Sequence, residues 1–276
     1  MISRIAAITA TEMRIAIRNR WIVTASALMT GFGLILAFAG SAPSGMLGVD
    51  RLTVTVTSLS TLSVYLVPLI ALLLSFDAFA GETDRGTLPL LVTYPVERWE
   101  ILIGKFGAQL VVLALALIIG FGVTAAAVWA TDGVSAESLA HLVRLVWTAI
   151  LLGAGFLAVG NFVSVSVRQP GTAASLAVAV WVIAVVMFDV VLLGAVVADD
   201  GGMFTKDIFP WLLVGSPTDA FRLFNVAAIE SSVMADGFAS TTETFAIPML
   251  APLVSLVLWP STILALTALA LRRLEP

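Results

Sequence analysis

Six uninterrupted apolar runs leave this chain few folds to choose from. They lie near residues 21–40, 52–76, 106–130, 145–167, 171–198 and 249–271, and an α-helix needs about 20 apolar residues to cross a bilayer core. Their hydrophobicity is continuous rather than alternating, which favours a helical bundle over a β-barrel. Composition agrees: 60% of the 276 residues are hydrophobic and 12% charged, against roughly half and a quarter in soluble domains. The expected fold is an all-α integral membrane protein, one transmembrane domain over 1–276 with six transmembrane helices.

Charge orients the bundle. With the N-terminus inside, Arg4, Arg14, Arg18, Arg20, Arg85, Arg98, Lys105, Arg168, Arg272 and Arg273 fall on the cytoplasmic side, leaving Arg51, Arg144, Lys206 and Arg222 outside. That bias satisfies the positive-inside rule and predicts a multi-pass protein of the cytoplasmic (inner) membrane with both termini in the cytoplasm. Within residues 1–20, Arg4, Arg14 and Arg18 share one helical face and Ile2, Ile5, Met13 and Ala16 the opposite one. This predicts an amphipathic helix lying at the interface. A signal peptide cleaved after Ala37-Phe38-Ala39 is the competing reading, but its apolar region is too long for one.

Between the second and third runs, residues 77–105 form a charged cytoplasmic connector. Gly86-Thr87 offers a turn and a helix start, Pro89 forbids a long helix just after it, and Pro95 with Glu97 marks a further helix start. The expected shape is short helix, turn, helix. Between runs five and six, residues 199–248 form an external segment too apolar for a soluble domain and broken by Pro210 and Pro217. Short re-entrant helices fit it, followed by a surface loop over Glu230 to Phe245.

Catalysis has little to work with. The chain has no cysteine and one histidine, His141, so disulfides, thiolate metal sites and Cys nucleophiles are excluded. Gly104-Lys105 is followed by Phe106, whereas a phosphate-binding loop needs Ser or Thr there. Met46, Met203, Met234 and Met249 fall in or beside the external segments, and thioether sulfur suits Cu(I), which makes them and His141 weak candidates for metal or partner contact. Packing is the commoner role of single methionines. Asp189 is the one acid deep in a predicted span, a translocation-path candidate unless it is simply bonded to a neighbouring helix.

The stretches GETDRGTLPLLVTYPVER with GKF (81–106) and FPWLLVGSPTDAFRLFNVAAIE (209–230), set in a six-span chain, resemble the permease subunits of ABC-2 type transporters. Within that family they are similar to the branch serving nitrous oxide reductase maturation, where the second stretch usually reads Asn-Pro-Thr-Asp and this chain has Ser216-Pro217-Thr218-Asp219. The resemblance implies the type V exporter-like permease fold and a homodimer. It also implies two copies of a cytosolic ATPase that binds the ATP and Mg, an extracytoplasmic β-helical partner and a copper chaperone. Carried onto this chain, Glu82, Arg85, Gly86, Thr87, Leu88, Pro95 and Arg98 would form the ATPase-coupling region, and Arg168, Gln169 and Pro170 a second contact. No cofactor is expected in the chain itself, no catalytic residue and no nucleic-acid partner. A drug or lipid efflux permease is the alternative within the family; a proton-coupled secondary transporter using Asp189 is the alternative outside it.

Overall fold

The computed structural model describes residues 2–18, 21–39, 51–87, 97–132, 134–199, 202–235, 248 and 250–272, and all regular structure among them is helical. In chain order the helices are α1 (Ile2–Arg18), α2 (Trp21–Ala39), α3 (Arg51–Ser75), α4 (Ala80–Asp84), α5 (Arg98–Asp132) and α6 (Ala136–Ser166). Then come α7 (Pro170–Asp199), α8 (Phe209–Gly215), α9 (Pro217–Ala235) and α10 (Ala251–Arg272). Five stretches are long and apolar enough to cross a membrane: Arg51–Asp84, Arg98–Thr131, Ala136–Ser166, Pro170–Asp199 and Ala251–Arg272. The remaining expected span forms α2, whose apolar part, Ile22–Phe38, is shorter.

Helices α5 and α6 begin well before the apolar runs at 106 and 145. Hydropathy marks only where a helix is greasy, whereas its end is set by a cap. For α6 that cap is Ser135, whose hydroxyl accepts a bond from the Ser138 N–H. At the other end Val167 is extended and Pro170 occupies the first turn of α7, so the α6–α7 hairpin is as tight as its sequence suggests.

Helix α6 is the centre of the bundle, with α3, α5, α9 and α10 against it. Small residues let its neighbours approach: a Cβ added at Gly160 would overlap the Ser75 hydroxyl of α3, and one at Gly153 would overlap Leu113 of α5. Without a hydrophobic drive in lipid, such close backbone approach is what helix association relies on. The polar start of α3 is made compatible with an apolar medium internally: the hydroxyls of Thr55, Thr57, Ser58, Thr61 and Ser63 each donate to the carbonyl four residues back.

The segment after α7 departs from the expected pattern in one respect. Glu230 to Phe245 reads as a loop by its polar composition, but α9 continues to Ala235, and residues 236–247 lie outside the described part. Ser231 and Ser232 have weak helix propensity but continue a helix already formed from Pro217 onward, where extension adds a hydrogen bond per residue. The turn between α8 and α9 lies beside Gly155 and Phe156, past the middle of α6, and Trp259 of α10 donates its indole N–H to the Gly215 carbonyl at 2.9 Å.

Candidate functional site

Chain ends and connectors converge at the basic end of the bundle. Helix α3 stops at Ser75, four residues of turn follow, and α4 starts with no side-chain cap of its own. Ser164, near the last turn of α6, supplies one: its hydroxyl oxygen accepts the N–H groups of Phe79 and Ala80 at 2.9 and 3.0 Å. Helix α4 ends in a Schellman motif, with Gly86 N–H bonded to the Thr83 carbonyl and Thr87 N–H to the Glu82 carbonyl. Gly86 sits at φ 66°, a conformation that a side chain resists. The predicted Gly86-Thr87 turn is therefore present, but among the described residues it closes a helix rather than starting one.

Glu82, Arg85, Gly86, Thr87 and Arg98 all lie at this end, as do Arg168, Gln169 and Pro170, where α4 touches the first half of α7. Arg85, Gly86, Thr87, Arg168 and Gln169 are exposed. Arg85 reaches only to 3.9 Å from Asp77, a distance at which an exposed pair holds the side chain weakly. Arg98 instead points inward, its guanidinium donating to the carbonyls of Leu271 and Arg272 at the C-terminus of α10, where a cation also complements the helix dipole. Leu88 and Pro95 lie outside the described residues.

Sequence reasoning treated Lys105 as one charge among many; the structure puts it at the hub. Lys105 is 3% exposed. Its ammonium lies 2.6 Å from Glu12 Oε1 of α1 and 2.6 Å from Glu82 Oε1 of α4, with the Phe79 ring 5.7 Å away. One cation thus ties three helices. A signal for it exists in α1, where Glu12 continues the stripe of Ile5 and Ile8; an acid on the inward face needs a buried partner.

A second charged cluster sits toward the opposite end. Arg222 of α9 bonds Asp219 Oδ1 at 3.1 Å and Asp189 Oδ2 of α7 at 3.2 Å. Asp189, the translocation-path candidate, is therefore paired with a residue of a neighbouring helix. Thr148 and Asn225 add a buried hydrogen bond between α6 and α9.

Of the metal or partner candidates, His141 and Met203 have described side chains. His141 lies 3.9 Å from Glu137, one turn away in α6, and Met203 is exposed. Met46 and Met249 fall outside the described residues, as does the side chain of Met234. Among the described residues no group of three His, Asp or Glu side chains is placed to hold a metal ion.

Several helices long and apolar enough to cross a membrane, with a short braced helix between two of them whose C-terminal end from Asp84 to Thr87 is exposed, define a multi-pass membrane protein. A family profile described as ABC-2 family transporter protein matches residues 6–275, and the chain belongs to that family. Its curated relatives narrow this further. It is 39% identical over 264 residues, 95% of each chain, to the probable ABC transporter permease protein NosY of Stutzerimonas stutzeri. It is 36% identical over 264 residues, again 95% of each chain, to the protein of the same name from Pseudomonas aeruginosa.

Proposed function

We propose that this chain is the membrane-embedded permease of an ATP-driven transporter that supports assembly of the copper centres of nitrous oxide reductase. It works as a homodimer in the cytoplasmic membrane with both termini inside. Two copies of a cytosolic NosF-like ATPase drive it, a β-helical NosD-like protein meets it outside, and a NosL-like copper chaperone serves the same system. A copper or sulfur species passes through it, or ATPase strokes pass as force to the outer partner.

The observation that carries this reading is α4: a five-residue helix, capped from another helix at one end and by a positive-φ glycine at the other, with Arg85 exposed beside it. Such an element suits docking into a partner's cleft. Likeness to NosY over 95% of the chain supports the particular pathway. The external α8–α9 pair supports a re-entrant hairpin, since its Gly215–Pro217 turn lies against the middle of three long helices.

The test is co-expression with the NosF-like ATPase and affinity purification through the permease. The native pair is expected to co-elute; Arg85→Glu, which reverses an exposed charge, is expected to lose the ATPase while the permease keeps its elution volume. Unchanged co-elution would overturn the assignment of α4. A second reading, efflux of a drug or lipid, is favoured by an apolar cavity of about 540 Å³ between α6, α7, α8 and α10. It predicts that a lipophilic probe stimulates ATP hydrolysis in the reconstituted complex, which the copper-centre reading does not.

A further inference from the structure

We propose that Lys105 is a positioning residue that makes α1 and α4 move as one body, so that a stroke received at α4 is delivered to the N-terminal helix as well as to α3. The inference rests on the reading of α4 as the ATPase-docking element.

Chain connectivity links α4 to α3 before it and, through residues 85–97, to α5 after it. No backbone route joins α4 to α1 except through α3 and α2, so any direct transfer must cross space. Lys105 provides the crossing. Its ammonium is the shared partner of Glu82, which belongs to α4, and of Glu12, which belongs to α1, at 2.6 Å each. Lys105 itself belongs to α5. With the cation 3% exposed, water is a poor substitute for either carboxylate.

Packing supports the same joint. Thr9 of α1 donates its hydroxyl to the Gly104 carbonyl at 3.1 Å. A Cβ on Gly104 would come within 2.6 Å of Ile8, and one on Gly107 within 3.5 Å of Thr9. The two glycines flank Lys105 on the side of α5 that α1 covers, so α1 lies close enough for Glu12 to reach a lysine already committed to Glu82. Arg4 and Glu100 extend the contact at 3.9 Å. Ordinary anchoring of an interfacial helix needs only the apolar stripe and the glycines. The shared cation adds a tie whose other end is the docking helix.

The experiment uses the chain's lack of cysteine to place two spin labels, at Ala6→Cys on α1 and Asp84→Cys on α4, both exposed positions. Distances are read in the permease alone and in its complex with the ATPase, without nucleotide and with ATP and vanadate. In the native background one narrow distance is expected, unchanged by nucleotide. Lys105→Met alone leaves Glu12 and Glu82 without their cation and is at risk of misfolding. The decisive variant is therefore Glu12→Gln, whose neutral side chain cuts the tie to α1 and leaves the Lys105–Glu82 pair and the docking helix unchanged. It is expected to keep the fold and the ATPase but lose the narrow distance, which broadens and shifts on adding ATP and vanadate. A Glu12→Gln variant that keeps one nucleotide-independent distance overturns the proposal, as does a native distance that itself changes with nucleotide. Loss of the ATPase from the native complex is separately visible and counts against the docking role of α4, because the distance in the permease alone still reports whether the joint exists.

Discussion

The two charged clusters of this protein have the same stoichiometry, one cation between two carboxylates, and opposite burial. At the basic end the cation is the hidden partner: Lys105 is 3% exposed. At the other end the hidden partner is an acid, since Asp219 is 2% exposed while the side chains of Arg222 and Asp189 are 36% and 27% exposed. Bond lengths follow, at 2.6 Å for both Lys105 pairs against 3.1 and 3.2 Å for those of Arg222. Lys105, enclosed between three helices, holds both of its carboxylates closely, whereas Arg222 is 36% exposed and holds Asp189 at a longer distance. The cluster around Lys105 is the tighter joint of the two.

The sharpest way to break that contrast is to remove the buried cation. Lys105→Met leaves Glu12 and Glu82, 28% and 16% exposed, without it and should cost roughly 2–3 kcal/mol, the loss of hydrogen bonds to charged groups, read as a large fall in the thermal midpoint of the detergent-solubilised protein. Next comes Gly104→Val, which drives a side chain into Ile8 and should cost about 1–3 kcal/mol as an overpacked contact. If it also releases Glu12, protease cleavage within α1 will rise. Ser164→Ala removes the acceptor for two backbone N–H groups and should cost about 1–3 kcal/mol. Its distinguishing effect should be faster hydrogen exchange at Phe79 and Ala80. Smallest is Asp189→Asn, expected to shift stability by on the order of 1 kcal/mol because the amide oxygen can still accept from Arg222, which keeps its bond to Asp219. A loss as large as that of Lys105→Met would erase the difference between the clusters.

Much of the bundle was legible before any coordinates. Continuous apolar runs located the long helices, and Arg168-Gln169-Pro170 marked the hairpin between α6 and α7. Gly86 marked a turn, because few other residues accept its backbone angle. The helix start at Arg98 was marked by Pro95 and Glu97, whereas the one at Ala136 was less visible, since a cap leaves no trace in hydropathy. The end of α9 was hidden for a different reason: its Ser-rich composition reads as loop, yet it extends a helix begun at Pro217.

Residue types and their spacing, taken alone, determined that this chain spans a membrane as helices, which of its ends is basic, and that its charged connector turns at Gly86. Those properties follow from local chemistry and from the length of apolar runs. Only the tertiary structure decided which charges meet. Glu12 and Lys105 are 93 residues apart and Asp189 and Arg222 are 33 apart. Partner choice between such distant groups depends on how helices cross, and in this chain small residues such as Gly104 and Gly160 decide how near they come.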